Sequence, residues 1–354
     1  MKILTIVGAR PQFIKAAAVS RVVNSFKGKV EEIIVHTGQH FDTNMSGVFF
    51  AEMDIPKPKH NLDIHGVNHG TMTGRMLEGI ERIICSEKPD WVLVYGDTNS
   101  TLAGALAAAK LQVKVAHVEA GLRSFNMKMP EEINRILTDR ISDLLFCPTD
   151  IAVKNLKNEG ISKGIIRTGD IMADAFFHYR TLASTKKNHQ LIVKDSRYAL
   201  ATIHRAENTD NPDTLRAIFQ GLEKINEFLP IILPLHPRTR LKLKEFEIKT
   251  KIQIIEPLGY LDMINLLDNC SIVLTDSGGL QKEAYLSEKP CATLRPETEW
   301  VELIEIGVNV LVGNDAEKLY QTAINFIKKP PHFAKGLYGD GKAAHQIVET
   351  MLAF

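Results

Sequence analysis

The chain has 354 residues, more than one hydrophobic core usually holds, so its length predicts two domains. The 43 lysines and arginines balance 42 aspartates and glutamates, which argues against a protein that binds nucleic acid or a charged membrane surface. Residues 1–7 read as a strand rather than a signal peptide, and no apolar run is long enough to span a membrane. We therefore expect a cytoplasmic protein.

The four cysteines are scattered along the chain, and none belongs to a Cys-x-x-Cys pair. They are Cys85, Cys147, Cys270 and Cys291, and each has apolar neighbours in the sequence. This pattern predicts buried free thiols in a reducing compartment rather than disulfides or metal ligands.

Strand-like apolar runs alternate with helix-like segments from end to end, which is typical of α/β folds with parallel sheets. The strands predicted in the first half are Lys2–Val7, Glu32–His36, Trp91–Tyr95, Lys114–Val118 and Asp143–Cys147. A second series begins near Ile165 and contains Tyr198–Ile203, Ile231–Leu235, Lys251–Ile255, Ser271–Leu274, Pro290–Leu294 and Asn309–Val312.

A glycine turn at 168–170 is the predicted domain boundary, because a strand ends there. It divides the chain into an amino-terminal domain, 1–168, and a carboxy-terminal domain, 169–341, and we expect a last helix at about 342–354 to pack back on the first domain. Two doubly wound sheets in one chain predict a cleft between the carboxyl ends of their strands, where such folds bind ligands.

A strand, a Ser-Gly-Gly turn and a helix follow one another in residues 270–286. Gly278 and Gly279 allow a ligand to approach the backbone closely, and a helix start has unpaired N–H groups and a partial positive charge. This combination suits a phosphate, and Glu283 lies about one turn further, where it can accept the hydroxyls of a ribose. The alternative is an ordinary helix start with Ser277 as its N-cap.

The turn after the first strand carries Arg10 and, one helical turn later, Lys15. It lacks the G-x-G-x-x-G spacing, and no G-x-x-x-x-G-K-[ST] occurs anywhere, which disfavours NAD and ATP chemistry. The two basic side chains either reach an anion in the cleft or are simply solvated.

Carboxylates follow two of the buried strands: Asp97 after Trp91–Tyr95, and Glu119 after Lys114–Val118. A carboxylate at such a place costs free energy unless it is paired or functional. Asp97 either caps the next helix or takes part in chemistry, and Glu119, two residues after His117, is either part of a structural pair or functional.

Glu131 and Glu132 occupy the first turn of a predicted helix, where the helix dipole favours acidic residues. We expect one of them to serve only through its interaction with the helix dipole, and the other is a candidate catalytic group. His204 ends the first strand of the second domain and is expected to face the carboxylates of the first domain, an arrangement suited to proton transfer. The alternative is a hydrogen-bonded core histidine. No H-E-x-x-H or D-x-D motif occurs, which disfavours a metal centre, and no G-x-S-x-G elbow lies between a predicted strand and a helix, which disfavours a serine hydrolase.

Six motifs, in order and spread over most of the chain, resemble those of the non-hydrolysing UDP-N-acetylglucosamine 2-epimerase family. They are Gly8-Ala9-Arg10-Pro11, Gly96-Asp97-Thr98, His-Val-Glu-Ala-Gly-Leu-Arg at 117–123, Pro130-Glu131-Glu132-x-x-Arg135, His204-Arg205-x-Glu207 and Asp276-Ser277-Gly278-Gly279. The resemblance implies a GT-B fold of two Rossmann-like domains facing across a cleft, a UDP-sugar ligand, usually a homodimer, and no nicotinamide or metal.

The resemblance also implies a two-step reaction, in which UDP is eliminated across C1–C2 to give a glycal and is then returned with the C2 proton delivered from the opposite face. It assigns acid/base positions to Asp97, Glu119 and Glu131, and a catalytic histidine to His204. The positions implied for UDP or substrate binding are Arg10, Lys15, Arg123, Arg205, Ser277, Gly278, Gly279 and Glu283.

Segments 8–16, 62–66 and 123–130 are similar to the epimerase branch that converts UDP-2,3-diacetamido-2,3-dideoxy-glucuronate to its manno isomer for O-antigen assembly. Conversion of UDP-N-acetylglucosamine to UDP-N-acetylmannosamine and a GT-B glycosyltransferase are the alternatives. The chain departs from well-known members at Trp300, at Ser124–Met129, and around 39–42 and 67–69. We expect the first two to decide sugar selectivity and the last to remove any requirement for activation by UDP-N-acetylglucosamine.

Overall fold

The structure is a computed structural model that describes residues 1–26, 28–39, 57–185 and 197–354, without the side chain of Arg10. Residues 40–42, on which the expectation about activation partly depends, lie outside these ranges. The chain divides into two compact units. The first contains Met1–Ala175 and Gly336–Phe354, and the second contains Phe176–Lys335. Within the described ranges, no helix has the length and apolar character needed to cross a membrane.

The first unit contains a seven-stranded parallel sheet with the order β3-β2-β1-β4-β5-β6-β7. Its strands are β1 (Lys2–Val7), β2 (Glu31–His36), β3 (His60–Asn61), β4 (Trp91–Tyr95), β5 (Lys114–Val118), β6 (Leu144–Cys147) and β7 (Ile165–Arg167). Its helices within the described ranges are Arg10–Ser25, His69–Glu87, Asn99–Lys110, Pro130–Ile141, Asp150–Asn158 and Ala343–Ala353, the last of which packs on the first. The helix Ile171–Thr185 begins in this unit and ends in the next.

The second unit contains a six-stranded parallel sheet with the order β10-β9-β8-β11-β12-β13. Its strands are β8 (Ala199–Thr202), β9 (Ile231–Pro234), β10 (Gln253–Ile255), β11 (Ile272–Thr275), β12 (Cys291–Thr293) and β13 (Asn309–Leu311). Its further helices are Ala206–Thr209, Pro212–Asn226, Pro237–Glu245, Tyr260–Asn269, Gly278–Leu286, Val301–Glu305 and Ala316–Lys328.

The two sheets share one strand order, because β8 to β13 repeat the arrangement of β1 to β6. In each sheet the chain first moves outward from the central strand and then crosses back to its other side. The direction changes between β1 and β4 and between β8 and β11, and ligands of doubly wound folds bind at the carboxyl ends of such strands. The predicted α/β class with two parallel sheets is confirmed.

The cores explain why these segments form these elements. β4 is buried over its whole length, as expected for a central parallel strand whose residues are all apolar. The helix His69–Glu87 covers one face of the first sheet with a stripe of Met76, Ile80, Ile83 and Ile84 at helical spacing. The core of the second unit is similarly built from aliphatic side chains of its strands and of the helices that cover them.

Two sequence expectations were wrong. Ile165–Arg167 does not begin the second series of strands but pairs with β6 as an outer strand of the first sheet. Cys85 is exposed, whereas the other three cysteines are buried and all four are free thiols. Cys85 has apolar sequence neighbours, but it lies one residue beyond the apolar stripe of its helix, so its side chain points to water.

Candidate functional site

Gln12 connects the turns that follow β1 and β4. Its Oε1 accepts hydrogen bonds from the backbone N–H of Gly8 (2.8 Å) and Ala9 (3.0 Å), and its Nε2 donates to the carbonyl of Tyr95 (2.8 Å) and the hydroxyl of Thr98 (2.9 Å). The sequence analysis missed this residue. The available signal was a glutamine in the first turn of a helix that is otherwise mostly apolar on its inner face.

Asp97 follows β4 but does not cap the next helix, since Thr98 takes that role by accepting from the N–H of Thr101 at 3.3 Å. The Asp97 carboxylate forms an ion pair with Arg135, and its main-chain carbonyl accepts from Nδ2 of Asn134 at 2.9 Å. Burial raises the pKa of Asp97, and the positive charge of Arg135 offsets part of that rise. Asp97 is therefore a carboxyl that is held firmly and ionises less readily than usual.

Glu119 follows β5 in a left-handed backbone conformation, with a φ of 74°. Such a conformation costs a residue other than glycine about 1–3 kcal/mol, and it is typical of functional sites. The Glu119 side chain forms an ion pair with Lys15, and both side chains are almost fully buried. A Cβ added to Gly96 would lie 3.3 Å from Oε2 of Glu119 and 3.4 Å from Nζ of Lys15, so a glycine there leaves room for the pair.

His117 lies fully buried beneath the same turn. One ring nitrogen, Nδ1, is 2.7 Å from Oδ1 of Asp139, and the other, Nε2, is 2.7 Å from the carbonyl oxygen of Gly96. Burial opposes ionisation of Asp139, but the contacts with His117 and Arg123 outweigh it and lower the pKa of Asp139. Both ring nitrogens of His117 are thus engaged by groups of its own unit, which supports a structural role for this residue.

Arg123 is surrounded by acceptors of its own unit. Its Nε and Nη2 donate to the Glu159 carboxylate at 2.6 and 2.7 Å, and its Nη1 donates to Asp139 (2.7 Å) and to the carbonyl of Leu122 (2.6 Å). A guanidinium has five N–H donors, and these contacts use its planar fork on both sides. They favour a structural role for Arg123 over the substrate contact expected from the sequence.

The two neighbouring glutamates at the start of the helix Pro130–Ile141 have different environments. Glu132 is 1% exposed, and its carboxylate accepts from the N–H and hydroxyl of Ser124, from the N–H of Phe125 and from Arg135. Glu131 is exposed. The geometry therefore assigns the structural role to Glu132 and leaves Glu131 as the member of the pair that a ligand can reach.

In the second unit, the turn after β11 leads into the helix Gly278–Leu286. Ser277 caps it by accepting from the N–H of Leu280 at 3.4 Å, and Nε1 of Trp300 donates to the carbonyl of Gly278 at 3.0 Å. A Cβ added to Gly278 would clash with Glu299, whereas at Gly279 the nearest atom would be Oγ of Ser277 at 4.0 Å. The turn is thus closed on the Gly278 side and open at Gly279.

Trp300 is buried against this turn, and Nζ of Lys282 lies 4.0 Å from the centroid of its ring. These contacts support the helix start. They do not by themselves bear on sugar selectivity. Further along the helix, Oε1 of Glu283 accepts from the hydroxyl of Tyr260 at 2.9 Å. Oε2 of Glu299 accepts from Arg295 at 2.9 Å, and Arg205 also acts electrostatically on that carboxylate.

His204 follows β8, the strand next to β11, and its side chain is 43% exposed. Its Nδ1 lies 3.3 Å from Oδ1 of Asp276. The fully buried Asp276 also accepts from the N–H groups of His204 and Arg205, both at 3.0 Å, and from Nδ2 of Asn208 at 3.1 Å. Asp276 fixes the orientation of the imidazole, a role that the sequence analysis did not assign to it.

His236 lies close to His204, with ring centroids 6.2 Å apart. It caps the helix Pro237–Glu245, since its Nδ1 accepts from the N–H of Arg238 at 3.2 Å. Burial, and then the positive charges of His204 and Arg238, lower its pKa. His236 therefore marks the start of a helix.

Each unit thus collects polar groups at the carboxyl ends of its central strands. The first brings together Asp97, Glu119 and Lys15, with Glu131 on a helix that contacts Asp97 through its next turns. The second brings together His204 and the Ser277 turn. Among the described residues, no three or more His, Cys, Asp or Glu side chains are grouped so as to hold a metal ion.

Comparison with known proteins identifies the family. The family model for UDP-N-acetylglucosamine 2-epimerase matches residues 24–352. The chain is 54% identical to the UDP-2,3-diacetamido-2,3-dideoxy-D-glucuronate 2-epimerase of Pseudomonas aeruginosa, over 99% of each chain. It is 45% identical to the UDP-N-acetylglucosamine 2-epimerase of Methanocaldococcus jannaschii, again over 99% of each.

Solved structures give the same result. The structure is similar to the Methanocaldococcus jannaschii UDP-GlcNAc 2-epimerase in complex with UDP-GlcNAc and UDP, with a TM-score of 0.90, 44% identity and 100% of both chains covered. The Neisseria meningitidis UDP-GlcNAc 2-epimerase bound to UDP-GlcNAc also has a TM-score of 0.90, at 30% identity and full coverage. The chain therefore belongs to the UDP-N-acetylglucosamine 2-epimerase family, has the GT-B fold of its members and is an isomerase.

Proposed function

We propose that this protein inverts C2 of a UDP-2-acetamido sugar by eliminating UDP to form a glycal and adding it back. UDP-2,3-diacetamido-2,3-dideoxy-glucuronate, converted to its manno isomer, is the proposed substrate, since the Pseudomonas aeruginosa relative named for it is 54% identical. The observation that carries the proposal is Glu119, which is held in a strained backbone conformation against Lys15 and beside Asp97.

The two carboxyls suit this reaction because C2 must exchange a proton on both faces. The C2 proton is not acidic, since it lies next to an acetamido carbon rather than a ketone, so its removal depends on C1–O cleavage. A positioned base contributes about 10²–10⁴-fold. Asp97, whose pKa is raised, is suited to carrying a proton, while Glu119 is ion-paired with an ammonium. Glu131 is the third proposed acid/base group.

The second unit is proposed to hold the departing UDP. The helix Gly278–Leu286 begins with the N–H groups of Gly278 and Gly279 after its capping residue Ser277, and such a helix start stabilises developing negative charge on a diphosphate. His204, oriented by Asp276, is proposed to act near the phosphates. The remaining proposed ligands are Arg10, Lys15 and Arg205 for the diphosphate and Glu283 for the ribose.

The route needs no redox cofactor, because substrate and product have the same oxidation state. From the family resemblance we also propose a cytoplasmic homodimer that serves surface-polysaccharide assembly, and simple saturation kinetics without activation by UDP-N-acetylglucosamine. Conversion of UDP-N-acetylglucosamine to UDP-N-acetylmannosamine is the second candidate function, favoured by the 45% identity to the Methanocaldococcus jannaschii enzyme.

Incubation with each sugar nucleotide in D₂O, followed by NMR, tests the proposal. We expect deuterium at C2 together with a new UDP-sugar, faster with the diacetamido substrate. The absence of exchange with both substrates, or the irreversible release of UDP, would refute the proposed reaction. Exchange only with UDP-N-acetylglucosamine would leave the reaction in place and replace the substrate.

A further inference from the structure

The segment Ser124–Met129, which leads into the helix Pro130–Ile141, holds two large apolar side chains in water. Phe125 is 77% exposed and Met127 is 60% exposed. Burying such a side chain contributes about 1.5–3 kcal/mol to folding, and neither residue makes that contribution here. Phe125 and Met127 are two residues apart in one short segment, and an exposed apolar patch on a folded protein commonly marks a binding surface.

The same segment is strained and anchored. Phe125 has a φ of 57°, in the left-handed region that bulky residues avoid. The N–H groups of Ser124 and Phe125 and the hydroxyl of Ser124 all donate to the buried Glu132 carboxylate at 2.9 Å. Folding energy alone does not account for a strained backbone and a buried carboxylate that hold Phe125 outside the core. Strain of this kind is typical of residues placed for a ligand.

Glu132 also connects this segment to Asp97. Its Oε2 accepts from Nη1 of Arg135 at 2.9 Å, and the other terminal nitrogen of Arg135 forms the ion pair with Asp97. Asn134, on the same helix, donates to the main-chain carbonyl of Asp97 at 2.9 Å. The side chains of Glu132 and Arg135, which belong to one helix, therefore connect the backbone of Phe125 to Asp97, a proposed acid/base group.

We propose that Ser124–Met129 is the specificity-determining loop of this enzyme, in which Phe125 and Met127 pack on the acetyl groups of the substrate's sugar. Glu132 is the positioning residue that keeps the loop in register with Asp97. Two apolar side chains match a sugar with two acetamido groups better than a sugar with one. This inference rests on the proposed function, because it requires a UDP-acetamido sugar at Asp97.

Phe125→Ala and Met127→Ala test the loop, with Leu241→Ala as a matched control, since Leu241 is 68% exposed in the other unit. KM and kcat are measured with both sugar nucleotides, and the Kd of UDP by calorimetry. Because losing apolar contacts to a substrate costs about 10-fold or more, we expect KM for the diacetamido sugar to rise about tenfold in each loop variant. UDP lacks the acetamido sugar, so its Kd should stay at the wild-type value in the loop variants. Leu241→Ala should change neither KM nor this Kd.

An unchanged KM, or a Kd for UDP that weakens by the same factor, would overturn the proposal. So would a change of molecular mass in solution with unchanged KM, since the loop would then be a contact between copies of the chain. If the wild-type protein exchanges deuterium into neither substrate, the proposed function itself fails. A wild type that is active but whose KM is insensitive to both substitutions refutes only the loop.

Glu132→Gln tests the positioning role, since glutamine keeps the shape and removes the charge. We expect kcat to fall about tenfold, and the effect of Phe125→Ala on KM to shrink in this background, because the two changes act on one element. Fully additive effects together with a lower melting temperature would show that Glu132 is only structural.

Discussion

The two units have the same order of central strands but place different chemistry at the strand ends. The first presents carboxylates, each paired with a cation: Glu119 with Lys15 and Asp97 with Arg135. The second presents backbone N–H groups at a helix start and a histidine supported by Asp276. A shared topology therefore determines where functional groups lie, and the residues in the turns determine whether the site moves protons or holds an anion.

The units also differ in how their backbones form the turns. In the first unit, Glu119 has a left-handed backbone conformation, which is strained for a residue other than glycine. In the second unit, Gly278 and Gly279 begin the helix, and neither has a left-handed conformation. Strain at the carboxylate aims a charged side chain, and glycine at the helix start leaves space for a ligand. Substitutions in these turns and at their partners test this contrast.

The largest effect is expected for Glu119→Gln. Removing a general base should lower the rate of deuterium exchange at C2 about 10²–10⁴-fold, as followed by NMR. The change also leaves the buried Lys15 ammonium without its opposing charge, so the free energy of unfolding should fall by about 3–5 kcal/mol. Glu87→Gln, at another ion-paired glutamate of this unit, should retain exchange. A Glu119→Gln protein with near-normal exchange would contradict the assignment.

Asp276→Asn should have the next largest effect, although Asp276 is not proposed to touch the substrate. Partners that orient a functional histidine are worth about 10–100-fold in metal sites, and a similar loss of kcat is expected here. Because Asp276 acts through His204, the substitution should cost little more in a His204→Asn background. Equal losses in both backgrounds would mean that Asp276 serves another purpose.

The two glycines of the second unit separate ligand approach from packing. Gly279→Ala meets no atom nearer than 4.0 Å, so it should keep the wild-type melting temperature yet weaken UDP binding about tenfold, because the methyl group stands where a phosphate would approach. Gly278→Ala clashes with Glu299, so both the melting temperature and the affinity for UDP should fall. Calorimetry and thermal unfolding distinguish the two, and tight UDP binding by Gly279→Ala would refute the phosphate site.

The smallest effect concerns pH. Burial raises the pKa of Asp97 and Arg135 counteracts it, so Arg135→Met should raise this pKa further. Whether Asp97 must be ionised or protonated in the rate-limiting step, the limb of the kcat/KM profile that it sets should then move to higher pH. A profile that stays in place, or moves to lower pH, would show that Asp97 does not set it.

The strands were predictable because buried parallel strands are continuous apolar runs. β1, β4 and β5 begin and end at the predicted residues, and the polar residues that follow them were recognised as candidates. β3 was not found, since its two residues, His60–Asn61, carry no pattern. Cys85 was misplaced because apolar neighbours in sequence do not determine which side of a helix a residue faces.

The partners of the candidate residues were not predictable. Lys15 and Glu119 are 104 residues apart in the chain, and Asp97 and Arg135 are 38 apart. The sequence also left open which of Glu131 and Glu132 is structural, and it offered Arg123 as a substrate ligand although Glu159 and Asp139 surround it. Each of these answers depends on which strands and helices are neighbours.

By itself, the sequence determined the α/β class, most strand positions, the motifs that carry the family resemblance and the two kinds of chemistry at the strand ends. Only the tertiary structure decided that Lys15 pairs with Glu119, that Gln12 joins two turns, and that Glu132 links Asp97 to an exposed, strained Phe125. The physical reason is that strand and turn patterns are local properties of the chain. Charge pairing and strain arise where distant segments meet, and that is set by the order of strands in the sheet.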